Sequence, residues 1–233
     1  MGFSAHCSRL ASVFGSETVQ AALSSEAEAL RGVLPAMPLV DSPLFPSLRS
    51  AGVFGAYEAV AEQLNTQGFA VIDLGRQRMT QVAQTIRAAL EPQFDLVAWR
   101  SAGAKGGLRI QDAWQQVEAV KQLALHPLVL QILECVYGRQ PFAFQTLNFP
   151  VGTQQHLHSD AVHFHSEPAG FMCGIWVALE DIHADAGPLE YVPGSQTLPY
   201  LQAHDVGVES NPGAGLSQTI FHQAWQALSL IHI

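Results

Sequence analysis

The stretch Gln154-Gln155-His156-Leu157-His158-Ser159-Asp160 sets two metal-ligand side chains one residue apart inside a run that reads as a β-strand. A strand repeats every two residues, so His158 and Asp160 face the same way, with Gln154 and His156 beside them. One imidazole and one carboxylate presented together supply two donors of the 2-His-1-carboxylate facial triad, which holds non-haem Fe(II) and leaves three coordination positions open. His163 and His165 follow at once, so four of the ten histidines crowd this segment. A surface strand carries His-x-Asp for solubility just as readily, and a polar histidine patch is the plain alternative.

Other metal patterns fit less well. A cupin needs His-x-His followed four or five residues later by glutamate; His156-Leu157-His158 is followed there by Val162 and His163, and His163-Phe164-His165 by Ala169 and Gly170. No His-Glu-x-x-His helix occurs, and Cys7, Cys135 and Cys173 lack the paired spacing of a zinc knuckle. Iron leads, with zinc behind.

Around this segment, Gln145-Thr146-Leu147-Asn148-Phe149, His158-Ser159-Asp160, Trp176-Val177-Ala178-Leu179-Glu180-Asp181, and Gly187-Pro188-Leu189 to Pro193-Gly194-Ser195 occur in consistent order. Together, across roughly residues 56 to 200, they resemble the phytanoyl-CoA dioxygenase family. The resemblance implies an enzyme dependent on Fe(II), 2-oxoglutarate and O2, on a double-stranded β-helix. It places His158 and Asp160 as the first two iron ligands and Trp176 where the family has a cosubstrate-pocket tryptophan.

The residues can be weighed beside that resemblance. In a strand from Phe171 to Leu179, one face carries Cys173, Ile175, Val177 and Leu179 and is core-like. The other carries Met172, Gly174, Trp176 and Ala178, whose small members leave a slot suited to a flat dicarboxylate against the indole. Trp176 filling core is the alternative. Gln145 contacts cosubstrate or merely backbone, since a buried amide needs a partner. Gly103, Gly106 and Gly107 match no phosphate-loop spacing and read as a flexible loop over the site. Arg109, just beyond, either reaches a carboxylate of cosubstrate or substrate, or makes a surface salt bridge.

Two departures from the family pattern stand out. Gln196 follows Pro193-Gly194-Ser195 where histidine is usual. The distal iron-binding histidine and the arginine for the far carboxylate of 2-oxoglutarate come later than this chain reaches, for 73 residues follow Asp160. His204, His222 and His232 lack the flanking small-residue strand, and no lysine or arginine follows Arg139. The final Leu228-Ser229-Leu230-Ile231-His232-Ile233 matches one reading frame of a transposase-end sequence used in DNA library preparation, and the helix-like run from Gln218 through Ala227 has no closing signal. The expectation is a C-terminally truncated, inactive fragment.

Composition bounds the class. The chain has 233 residues, 48% hydrophobic and 13% charged, enough for one core and a single domain. Its net charge of −9 argues against nucleic-acid or anionic-membrane binding, which need clustered Lys and Arg. An odd number of cysteines fits a reducing compartment. No signal segment opens the chain and no stretch reads as a membrane span, so a cytoplasmic location and a small-molecule substrate are expected; oligomeric state is left open.

Along the chain, a helix is expected from Glu17 to Arg31, then a lead-in rich in proline (Pro35, Pro38, Pro43, Pro46). Tyr57, Val60, Ala61 and Leu64 predict a helix, Gly68 to Ile72 a first strand, and Met79, Val82, Ala83, Ile86 and Leu90 another helix. Trp114 to Leu125 and Pro127 to Tyr137 complete the helices, and strands dominate from Phe142 onward. The predicted class is α+β: a cupin-like jelly roll, or double-stranded β-helix, with flanking N-terminal helices. Residues 1–55 form the lead-in and 56–233 one domain, incomplete at its C-terminus. The competing reading is a non-catalytic β-sandwich binding module with a histidine-rich patch.

Overall fold

Helices occupy the segments where apolar side chains recur every three or four residues. The computed structural model describes residues 35–105, 107–155, 157–160, 164, 166–198, 201, 203–207 and 215–231. The helix expected from Glu17 to Arg31 lies outside them. After a 3-10 turn at Leu39–Asp41, α1 (Phe45–Ser50) carries proline in its first turn. The predicted helix around Val60 is α2 (Glu58–Gln67), closed by Gly68 in the left-handed conformation, φ 84°. Next come α3 (Arg76–Leu90) and α4 (Leu96–Ser101), the latter capped by Asp95, whose Oδ1 accepts from the Ala98 N–H at 2.8 Å.

The helix predicted from Trp114 to Leu125 is divided. A 3-10 turn, Ala113–Gln115, precedes α5 (Glu118–Ala124), because Val117 adopts extended backbone between them. Then α6 (Pro127–Tyr137) starts with proline, where its missing N–H costs nothing, and stops at left-handed Gly138, φ 71°. Near the end of the chain, α7 spans Gly215–Ile231.

Two apolar cores result. Val40, Phe45 and Phe54 from the lead-in pack with Ala61 of α2 and Ile132 and Val136 of α6. Ile86 and Leu90 of α3 join Ala113 and Val120, with Leu179 reaching in from the far side of the metal-pair segment. Each such buried aliphatic side chain contributes roughly 1.5–3 kcal/mol relative to exposure. Arg49 ties α1 to α2 through Glu58 (2.9 Å) and Glu62 (2.7 Å).

The stretch Glu118–Tyr137 is 20 residues long and holds an 18-residue window of mean hydropathy 1.3, long and apolar enough to cross a membrane by length and composition, which corrects the reading that no stretch reaches that size. Here it is two helices meeting at Leu125 and His126, and its Val120, Val129, Ile132 and Val136 are buried inside the protein.

Among the described residues, strand structure is confined to β1 (Ile110–Gln111) and β2 (Leu147–Asn148), paired antiparallel with Ile110 opposite Asn148 and Gln111 opposite Leu147. Asp112 extends the pairing: its N–H donates to Thr146 O at 2.7 Å, and its Oδ1 accepts from the Thr146 N–H at 3.2 Å. The strand predicted at Gly68 to Ile72 is not formed. Val71 is 82% exposed there, while Ile72 packs against the first core. The strand predicted from Phe171 to Leu179 is not formed among the described residues, because a strand needs an edge paired alongside it.

A clasp joins the C-terminus of α2 to the far end of the chain. Gly194 N–H donates to Gln67 O, and Gln196 Nε2 donates to Asn65 O, both at 2.9 Å. Asn65 Nδ2 in turn donates to Val40 O at 2.7 Å. The Phe69 and Tyr191 rings lie 5.2 Å apart, and a Cβ on Gly68 would collide with Tyr191 Oη and Gln196 Oε1.

Candidate metal-binding site

The backbone around Asp160 is not a regular strand. Gln154 has φ 54°, which breaks the alternation, and the stretch carries no ladder. The same-side placement expected of His158 and Asp160 nevertheless holds: His158 Nε2 lies 3.5 Å from Asp160 Oδ1. The His158 side chain is 17% exposed and that of Asp160 55%, so the imidazole is sheltered and the carboxylate opens to solvent.

Three elements shape the pair. On one side α7 brings His222 over His158, ring centroids 5.7 Å apart and planes within 30° of parallel. On another, Gly174 faces Asp160, where a Cβ would stand 3.4 Å from Oδ2. Locally, the Phe164 N–H donates to Asp160 O at 2.9 Å. His156, His163 and His165 lie outside the described residues. Among the described residues, no group of three or more His, Cys, Asp or Glu side chains converges as a metal cage.

The segment leading to the pair is held from two directions. Gln154 Nε2 donates to Ala104 O at 3.0 Å, and Gly107 lies against Thr153, so the predicted glycine loop does border this segment. Gly152 meets Gly187 backbone on the opposite side, at 3.3 Å from a Cβ position to Gly187 O.

The three predicted cosubstrate residues are scattered more widely. Trp176 lies two residues past Gly174 and is 52% exposed, not enclosed in a slot. Its neighbour Ile175, expected on the core-like face, is 51% exposed, whereas Leu179 does enter the second core. Arg109 is exposed just before β1, and Gln145 is half-buried just before β2. Arg109 precedes one strand of the antiparallel pair and Gln145 precedes the other, so they flank opposite ends of the short ladder.

Beneath the pair, burial drives the Tyr137 hydroxyl above its ordinary range, with Cys173 as the next contributor. Burial also pushes the Cys173 thiol up; its hydrogen bond with Tyr137 opposes this, and the Asp160 charge adds to it. Both groups stay neutral at pH 7. The stacking of His222 is the feature the sequence did not disclose; its only trace was a histidine on the buried side of the run near Phe221 and Trp225.

Comparison with known proteins adds to this geometry. Phytanoyl-CoA dioxygenase domain-containing protein 1 from Mus musculus is 34% identical over 74 residues, 32% of this chain and 25% of that protein. The protein of the same name from Rattus norvegicus gives the same figures, and that from Bos taurus is 45% identical over 40 residues, 17% of this chain and 14% of the relative. The matched part thus spans about a quarter of the length of the mouse and rat relatives. No solved structure matches this chain. The family signature of phytanoyl-CoA dioxygenase (PhyH) runs over residues 64–226, from α2 through the His158–Asp160 pair and into α7, and the chain belongs to that family.

Proposed function

We propose that this protein is the oxygenase domain of an Fe(II)- and 2-oxoglutarate-dependent enzyme that hydroxylates a C–H bond of a small molecule, built on the jelly roll of its family. The observation that carries the reading is the 3.5 Å approach of His158 Nε2 to Asp160 Oδ1 inside a chain of this family. Neighbouring donors of a six-coordinate divalent ion with bonds of about 2.1 Å lie about 3 Å apart, so the pair fits two adjacent positions with a small adjustment. Its donor chemistry, one imidazole and one carboxylate, suits iron.

When bound, Fe(II) with 2-oxoglutarate and O2 supplies the oxidant, releasing succinate and CO2 as one oxygen atom enters the substrate. The protein's part is to hold and orient. His158, sheltered under His222, offers a fixed nitrogen, and Asp160 presents its carboxylate toward solvent. Arg109, Trp176 and Gln145 would contribute a cation, a planar wall and an amide to 2-oxoglutarate only after the segments that carry them draw together around the pair. The loop bonded to Gln154 through Ala104 O borders the approach.

Anaerobic titration with Co(II), a spectroscopic stand-in for Fe(II), tests the reading. Uptake of one equivalent that is lost in both His158→Ala and Asp160→Ala supports it; iron-dependent succinate formation by the protein, abolished by Asp160→Ala, completes it. Absence of three converging donors among the described residues favours the second reading, a non-catalytic binding module with a histidine patch. That reading predicts no metal uptake, and succinate turnover unchanged by Asp160→Ala would sink the oxygenase assignment.

A further inference from the structure

The carboxylate of Asp160 rests against a segment that is itself held from below. Tyr137, the last residue of α6, donates its hydroxyl to Met172 O at 3.2 Å, and its ring meets Phe171 edge-on at 6.1 Å. Phe171 is pinned twice more: Arg139 lies over its ring at 4.2 Å, and its N–H donates to Ser166 Oγ at 2.8 Å. The Cys173 thiol donates to Gly174 O at 3.7 Å. The next surface is Gly174, whose missing side chain leaves Asp160 Oδ2 room, 3.4 Å from where a Cβ would be.

We propose that Tyr137 is a positioning residue for the Asp160 carboxylate, acting through the Met172–Gly174 segment, with Gly174 keeping Oδ2 uncovered. Asp160 Oδ1 faces His158, so its other oxygen is the one that Gly174 borders. A backbone tied by a half-buried hydroxyl and an edge-on ring is restrained from drifting away from that oxygen, and a glycine cannot crowd it. A metal ligand held by such outer partners typically loses about tenfold to a hundredfold in metal affinity when they are removed. The proposal rests on Asp160 being a metal ligand.

The test uses two readouts on the chain as it exists, below its melting transition. The first, without metal, is the carboxyl 13C resonance of Asp160. The second is Co(II) affinity with its d–d absorption band. Tyr137→Phe keeps the ring and removes the hydroxyl; the expected result is a displaced Asp160 resonance, an affinity about tenfold weaker and an altered cobalt band. Gly174→Val, at an exposed position, is expected to weaken affinity at least as much with little change in melting temperature, and it carries the test should Tyr137→Phe fail to fold. An unmoved Asp160 resonance with wild-type cobalt affinity in the folded variants overturns the proposal. If the wild-type chain takes up no Co(II), the oxygenase reading falls by itself, while the metal-free resonance still decides whether Tyr137 and Gly174 position this carboxylate.

Discussion

The imidazole of His222 stacks on that of His158, ring centroids 5.7 Å apart, although the two residues belong to segments far apart in the chain. A sheltered ring with a flat neighbour keeps one orientation, and a metal ligand held in its binding rotamer loses less entropy on binding. His222→Ala is therefore expected to weaken Co(II) affinity about tenfold without abolishing uptake. Isothermal titration under anaerobic conditions measures it; an affinity equal to wild type would make the stacking incidental.

Gly68 ends α2 with φ 84° under the Tyr191 hydroxyl and the Gln196 amide. A methyl group there meets both a backbone penalty and a collision. Gly68→Ala is expected to cost about 2–3 kcal/mol, combining the left-handed penalty with overpacking. Urea unfolding gives the number, and a loss under 0.5 kcal/mol, roughly the size of an ordinary surface change, would show that the clasp yields freely.

Ile132 is 4% exposed in the first core, whereas Arg76 meets Asp181 at 3.7 Å with both side chains 87% exposed. Ile132→Ala is expected to destabilise by about 2–5 kcal/mol through transfer and cavity terms. Arg76→Ala should stay within about 0.5 kcal/mol, since exposed pairs are screened. Reversal of that order in denaturant midpoints would mean the core is assigned to the wrong helices.

The half-buried Cys173 thiol near the His158–Asp160 pair gives stability a dependence on alkaline pH. The Cys173 thiol is held above its ordinary 9.0 and the Tyr137 hydroxyl above its ordinary 10.0, burial being the main cause of each. Above about pH 9 the unfolded chain sheds the Cys173 proton that the folded chain keeps, so the unfolded state binds fewer protons and stability falls as pH rises. Below that pH the contribution is constant. Unfolding midpoints from about pH 8 to pH 11 should decline for wild type and decline less steeply for Cys173→Ala. Parallel curves would place the thiol in contact with water.

How far the sequence reaches depends on the range of the interaction involved. The helices α2, α3 and α6 were legible because Val60, Ile86 and Ile132 repeat at helical spacing and because Pro127 and Gly138 mark local starts and stops. The short α4 was missed, although Asp95 three residues before the Ala98 N–H was a readable cap. Gly68 to Ile72 misled because an apolar run announces burial, not pairing, and among the described residues neither β1 nor β2 pairs with it. Similarly, Val117 divides the helix predicted from Trp114 through its extended backbone, which no periodicity reports.

At the site, the nearness of His158 and Asp160 followed from their one-residue spacing even where the backbone around Gln154 departs from a strand. Gln196, a departure from the family pattern, proves to have local work of its own, donating to Asn65 O at the end of α2. The placement of His222, the backing of Asp160 by Gly174 and the buried Tyr137 beneath them are contacts between distant segments. A single sequence encodes those only through packing.

The α2 terminus, where Val40, Asn65, Gln67, Gly194 and Gln196 meet, also carries a kinetic meaning. The bonds from Gly194 and Gln196 join stretches separated by more than a hundred residues, and loop closure over such a span is slow unless one end is already ordered. Helix α2 must stop at Gly68 before Tyr191 and Gln196 have a surface to meet. The helix end at Gly68 is therefore the surface on which the segment around Tyr191 and Gln196 closes a long loop.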